Sequence, residues 1–399
     1  MKRHRWSGVK YPLAVAIAGT LLGGIAPSTT SSTPPPLRPP EITQAQPDVS
    51  LLADIQRCIQ KAVAQAAQKQ PRAVANLQQI STQCTFSVVM LNPDGSVRPD
   101  ASDRMTALLQ ATGIKVPRPQ ATGEAIVPLQ LQPQVSLFTV PVVLNGVPLQ
   151  FILDTGASNT IVDRSVAQQL KLQGASVPSE FLGYLAVGQP TAASQINIYP
   201  LASLQVGKAK VTQLNGIGLS TSGLPLKSAG ILGLDFLSRF DILLNPATRQ
   251  LQLRPATQPV LSDIQLQGKF GIMVIPNVFI QGKGPFRFLV DTGAAITSLS
   301  VDLAQRLDLK VSKETIRVAG LNGETLAHRA RLAGLNLSSR PIAPLSAMVL
   351  NSKVFQTLGV DGVLGQDILN RYVQHWRFGP PGALGNPDTG SLRLTPLPQ

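Results

Sequence analysis

A chain of 399 residues, 43% hydrophobic and 14% charged, is long enough for two or three domains with real cores and too apolar to be disordered. The formal charge of +14 is scattered, with no Lys/Arg run interleaved with aromatics, which argues for solubility and weak attraction to anionic surfaces and against a nucleic-acid partner. Glycine and proline, 33 of each, suit many short strands joined by turns.

The chain opens on "MKRHRWSGVKYPLAVAIAGTLLGGIAP", a basic stretch followed by an apolar run from Leu13 to Ala26. That run is short for a membrane-spanning helix and is broken by glycine. Residues 1–26 therefore read as a cleaved secretory signal, with an uncleaved anchor and membrane association as the alternative. Cleavage could follow Ala26 or Ala45, and no cysteine follows the run to take a lipid. Export, to a periplasm or outside the cell, is the expected destination. Residues 27–47 are rich in Ser, Thr and Pro and read as a linker.

Residues 48–115 read as a small helical unit. Leu51, Leu52, Ile55, Ile59 and Val63 recur at helical spacing in "SLLADIQRCIQKAVAQAAQKQ". "RPDASDRMTALLQATG" reads as a second helix, with Asp100 or Ser102 to cap it and Gly113 to end it. The two cysteines, Cys58 and Cys84, are expected to pair in an oxidising compartment, which stabilises by about 3 kcal/mol in the chain-entropy model. The unit is either a propeptide or a retained docking module.

From about residue 125 the pattern changes to short β runs, and an internal repeat appears. At a shift of 137, "FILDTGASNT" (151–160) falls on "FLVDTGAAIT" (288–297), and "AQQLKL" on "AQRLDL". At a shift of 132, "GILGLDFLSRF" (230–240) falls on "GVLGQDILNRY" (362–372). Each copy runs hairpin, Asp-Thr-Gly-Ala, short helix, further strands, an apolar-Leu-Gly element, a helical turn and a last strand. The hairpin turns are Asn145-Gly146 in the first copy and "QGKGP" in the second. The fold class expected is mainly β, with two pseudo-twofold-related lobes (125–256 and 259–399) after the helical unit.

Two facing carboxylates can share one proton, because like charges in contact cannot both ionise easily. The ionised one can then take a proton from water while the other donates to a peptide carbonyl. Asp154 and Asp291, from two equivalent loops, supply that pair without dimerisation. Thr155 and Thr292 can hydrogen-bond across the axis, and Gly156 and Gly293 let backbone N–H groups approach the carboxylates.

The pattern apolar-apolar-Asp-Thr-Gly-Ala, followed by Ile231-Leu232-Gly233 and Val363-Leu364-Gly365, resembles the aspartic peptidases of the retropepsin and pepsin type over about residues 125–396. The resemblance implies Asp154 and Asp291 as a catalytic dyad in a peptide-binding cleft, no cofactor or metal, and a peptide or protein substrate. It also implies that Leu232-Gly233 and Leu364-Gly365 support the aspartate loops. Ala157 and Ala294 stand where pepsin-like enzymes carry Ser or Thr, which leans towards retropepsins and a less acid optimum. A flap is expected at Asn322-Gly323 in the second copy and near Tyr184 and Gly188 in the first. The rival from another class is an inactive, peptidase-shaped binding or scaffold protein.

Other features carry less. No phosphate loop and no G-x-S-x-G elbow is present. His328 and His375 are single residues, read as packed or solvated. Asp235 and Asp367 repeat in register and read as caps of their helical turns. A third Asp-Thr-Gly, Asp388–Gly390, aligns at a shift of 141 with Ala247-Thr248-Arg249 and reads as turn chemistry before the last strand.

Overall fold

A computed structural model describes residues 11–12, 49–69, 77–94, 98, 100–111, 118–177, 196–221, 224, 228–320, 323–338, 340–382 and 385–397. The chain divides into two compact units, Leu22–Val116 and Pro117–Gln399, with Met1–Leu21 grouped with the second. No helix among the described residues is long and apolar enough to cross a membrane.

The first unit holds three helices, Val49–Lys69, Leu77–Met90 and Ala101–Ala111. Two match the sequence expectation; the middle one does not. Its "ISTQCTFSVV" is rich in β-branched residues, which lowers helix propensity. A Cys58–Cys84 disulfide joins it to the first helix, and Cys84, Phe86, Val89 and Met90 are buried. Tertiary packing thus overrides local preference. Leu51 and Ile55 are buried as expected, whereas Leu52 points outward and is 43% exposed. Asp100 directly precedes the third helix and its carboxylate pairs with Arg98 at 3.0 Å; Gly113 lies outside the described residues.

The second unit is β-rich and is built twice. The first hairpin pairs Leu137–Leu144 with Val147–Leu153 around Asn145 and Gly146, both at positive φ (48° and 88°). This is the two-residue turn geometry that Asn-Gly favours. The second hairpin pairs Ile272–Ile280 with Lys283–Val290, and its turn residues are Gln281 and Gly282, again both at positive φ. Each hairpin ends in the apolar run before an aspartate.

The Leu-Gly elements then insert beside those runs. Gly230–Leu232 lies parallel to Phe151–Leu153, and Gly362–Leu364 lies parallel to Phe288–Val290 in the equivalent register. Each also pairs antiparallel with the strand that follows its aspartate loop. Gly233 and Gly365 make the close approach possible: a Cβ there would lie 2.5 Å from the Asn159 carbonyl carbon and 2.7 Å from that of Ile296.

A shared sheet joins the lobes. Its strands run, in order, Ala125–Pro128, Gln250–Pro255, Phe240–Asn245, Tyr372–Phe378, Thr389–Pro396 and Ile264–Lys269. The two central strands pair Ile242 with Trp376, Leu243 with His375 and Leu244 with Gln374. In the repeat's shift of 132, Leu243 and His375 are each other's equivalents, so the pseudo-twofold axis passes between them. Trp376 is 1% exposed and its Nε1–H donates to Gln374 Oε1 at 3.2 Å. Arg377 spans the sheet, 3.5 Å from Asp241 and 3.4 Å from Asp263, while Arg393 lies 2.8 Å from Asp263. One continuous apolar core runs from Phe138, Phe151 and Phe240 to Phe288, Leu364 and Trp376. A smaller cluster in the second lobe gathers Ala294, Val318, Met348 and Phe355.

Candidate active site

The two apolar strands deliver Asp154 and Asp291 to one place, and both side chains are fully buried. Closeness shows in the glycines beside them. A Cβ on Gly156 would sit 2.4 Å from Asp291 Cγ, and one on Gly293 would sit 2.4 Å from Asp154 Cγ. Neither position can carry a side chain.

Reciprocal threonine bonds lock the loops together. Thr155 N–H donates to Thr292 Oγ1 (2.9 Å), and Thr155 Oγ1 donates to the Val290 carbonyl (2.9 Å). In return Thr292 N–H donates to Thr155 Oγ1 (3.1 Å), and Thr292 Oγ1 donates to the Leu153 carbonyl (3.0 Å). The expected cross-axis pairing is therefore present, and it satisfies every polar group of two buried threonines but their carbonyls.

One oxygen of each aspartate is held by backbone. Asp154 Oδ1 accepts from Gly156 N–H (2.7 Å) and Ala157 N–H (3.1 Å), and Asp291 Oδ1 accepts from Gly293 N–H (2.7 Å). The Oδ2 atoms are buried and receive no N–H or hydroxyl donor from the rest of the protein. The carboxyls bond each other instead, which needs one proton between them. Burial raises Asp154 to about 7, opposed by its bond with Asp291 and by the Gly156, Ala157 and Gly293 amides. Burial also raises Asp291 well above the ordinary carboxylate range, and the Asp154 charge adds to it. Two buried carboxyls raised in this way titrate as a unit.

Behind each loop stands an aspartate whose role differs from the cap expected. The N-caps of the helical turns are Gly233 and Gly365, neither with a side-chain bond. Asp235 Oδ1 instead accepts from Thr160 N–H (2.9 Å) and Thr160 Oγ1 (2.8 Å), as well as from Phe236 N–H (2.8 Å) in its own turn. Asp367 Oδ1 accepts from Thr297 N–H (2.9 Å) and Oγ1 (2.7 Å). The first amides of each turn point past the side chain, towards the loop that follows the aspartate motif. Leu234 N–H and Gln366 N–H donate to the Ala157 and Ala294 carbonyls, each at 2.8 Å. Leu232-Gly233 and Leu364-Gly365 thus hold the loops through these turns. Thr160, Thr297 and Gln366 were not singled out in the sequence. The two threonines could have been, since they recur at the same shift of 137 as the catalytic-type motif.

The remaining candidates fall elsewhere. Gly323 opens the strand Gly323–Leu332 and pairs with Gly320 in a hairpin with Val311–Gly320; Asn322, Tyr184 and Gly188 lie outside the described residues. Asp388 is exposed in the turn before Thr389–Pro396. Its counterpart in the first copy is the turn in which Asn245 Oδ1 accepts from Ala247 and Thr248 N–H. His328 Nδ1 lies 2.9 Å from the Ser312 carbonyl, and His375 is half-buried in the shared sheet. Among the described residues no three His, Cys, Asp or Glu side chains gather as a metal site requires.

The buried clamp gives a pH signature in stability. Burial raises Asp235 to about 6, opposed by its Thr160 bonds. Such a group binds more protons folded than unfolded, so its stabilising contribution is present below about pH 4 and lost as pH rises through 6. Asp235→Asn keeps an acceptor for Thr160 without that titration. The stability of the variant relative to the parent should rise between about pH 4 and 6 and be flat outside that window, read by urea unfolding at each pH.

Comparison with known proteins follows the two lobes. A family model described as "Aspartyl protease" matches residues 277–368. One described as "gag-polyprotein putative aspartyl protease" matches residues 140–239. A solved structure similar to the chain is that of a retropepsin-like aspartic protease from Rickettsia conorii, 22% identical, covering 34% of this chain and 90% of that one, with a TM-score of 0.23. No curated protein matches. Each lobe thus carries its own match to an aspartyl-protease family model.

Proposed function

We propose that the protein is an aspartic endopeptidase that hydrolyses peptide bonds with water activated by Asp154 and Asp291 at the interface of its lobes. The observation that carries this reading is the pair of buried carboxyls. Each has Oδ1 held by backbone N–H and Oδ2 buried without an N–H or hydroxyl donor. Asp154, with two amide donors, is the better stabilised anion and acts as the base towards water. Asp291 carries the proton and donates it to the substrate carbonyl oxygen. When the gem-diol adduct collapses, Asp291 takes back a hydroxyl proton while the leaving nitrogen takes the proton that Asp154 drew from water, and the pair again holds one proton on Asp291.

The substrate is a peptide or protein segment, and the N-terminal apolar run supports export as the setting. Both motif loops continue with alanine, Ala157 and Ala294, each fully buried. No side-chain hydroxyl at those positions assists ionisation, which leaves the bond between the carboxyls and the backbone amides to oppose the effect of burial at Asp154.

Asp154→Asn or Asp291→Asn should abolish cleavage of a peptide library while the thermal transition is retained. Wild-type protein that cleaves no peptide across about pH 3–8 would instead favour an inactive binding protein. The parent pH–rate profile should peak in the weakly acid to neutral range, because burial raises both carboxyls; a maximum near about pH 2–3 would count against it. Asp388→Ala, in an exposed turn, should leave turnover within about twofold of the parent, since surface changes of that kind are usually small. A large loss in a folded Asp388→Ala protein would overturn the repeat alignment as well.

A further inference from the structure

The two loops are alike in backbone but not in what stands behind them. At the first helical position after the Leu-Gly element, the first lobe has Leu234 and the second has Gln366. Both are buried, at 0% and 1% exposure. Gln366 Nε2 donates to the Thr292 carbonyl at 2.9 Å, while its Oε1 is buried with no hydrogen-bond partner. The amide orientation is fixed by that contact, since the reverse would set two acceptors together. Leu234 shows that an apolar residue fills the same place in this fold and carries no orphaned oxygen.

The Thr292 carbonyl belongs to the same planar peptide as Gly293 N–H. That N–H donates to Asp291 Oδ1 at 2.7 Å, and the built Cβ of Gly293 marks how near this residue lies to Asp154 as well. A donor on the carbonyl side of a peptide strengthens the N–H on the other side, by about 10–30% per bond. The chain of bonds therefore runs from Gln366 through one peptide to the carboxyl pair. In the first lobe the equivalent peptide, Thr155–Gly156, has Leu234 behind it.

We propose that Gln366 is a positioning residue for the reaction: it strengthens the Gly293 N–H facing the carboxyl pair, a support that the first lobe lacks. This rests on the peptidase reading given above. The sign follows from the charge. A stronger donor favours the ionised pair, so the glutamine lowers the pH at which the pair gives up protons. Among the described residues, the charged groups packed around the pair are few. Asp154 and Asp291 face each other; Asp235 with Arg239 stands behind the first loop, and Asp367 with Arg371 behind the second. Asp235 and Asp367 are turned to Thr160 and Thr297, which leaves the amides as the local tuning groups.

The test is a carboxyl titration that needs no turnover. Carbon-13 spectra of aspartate-labelled protein, assigned with Asp154→Asn and Asp291→Asn, follow the pair in the parent, Gln366→Leu and Gln366→Met. Both Gln366 variants should ionise at higher pH by a few tenths of a unit, about a twofold change in ionisation constant. The limbs of the pH–rate profile should move the same way. Adding Leu234→Gln to Gln366→Leu should restore part of the shift from the other lobe. An unchanged ionisation in folded Gln366→Leu and Gln366→Met overturns the proposal and makes Gln366 a packing residue. A shifted ionisation supports it even if no peptide is cleaved, a result that would overturn only the peptidase reading.

Discussion

Each half of this fold is chemically unfinished, and the threonine clasp is where that shows. Thr155 and Thr292 each donate and accept across the axis, with both side chains buried. A lone lobe would leave a buried amide, a hydroxyl and a carbonyl without partners. Each formed bond contributes only about 1 kcal/mol net, but leaving such a group orphaned costs about 1–3 kcal/mol. The constraint is thus more on what cannot be omitted than on what is gained. It forces the loops into reciprocal geometry, and that geometry sets the carboxyls against each other.

Around the clasp the backbone is packed to contact. The glycines at 156 and 293 are pressed by the opposite aspartate, and those at 233 and 365 by the loops they support. Rigid placement matters because the carboxyl pair is out of water. In that setting each amide aimed at Oδ1 is stronger than it would be at a surface, and an unpaired charge is more costly. Thr160–Asp235 and Thr297–Asp367 extend the same logic outward, fixing the end of each loop to the helical turn after its Leu-Gly element. The pair, the clasp and the clamps form one hydrogen-bonded block, with the shared sheet as its base.

Much of this was legible because the sequence is written twice. The repeat located both aspartates, both clasp threonines and the Leu-Gly elements. It also separated Asp388, which shares the tripeptide but lacks the buried strand before it. Asn145-Gly146 announced its turn through local chemistry alone. What was not legible depends on contacts between distant segments. The helix Leu77–Met90 runs against its own β-branched composition, and Leu52 falls off the buried stripe by one position. Asp235 and Asp367 sit where caps usually sit, and only the folded position of Thr160 and Thr297 reveals their true partners.

A single chain with two copies can do what a symmetric dimer cannot, which is to let the copies differ. The axis passes between Leu243 and His375, so even the central pair of the shared sheet is unequal. Burial first, and Arg377 second, lower the pKa of His375, which stands opposite a leucine. Next to the motifs, Ser158-Asn159 in one lobe stands against Ala295-Ile296 in the other. On the proposed reading, hydrolysis requires unequal roles from the two carboxyls at any instant, one holding the proton and one without it. A symmetric site reaches that state by choosing between equivalent forms. Here the Thr292–Gly293 peptide has a glutamine on its carbonyl, while the equivalent Thr155–Gly156 peptide has a leucine behind it. The inequality is built into the resting protein before any substrate arrives.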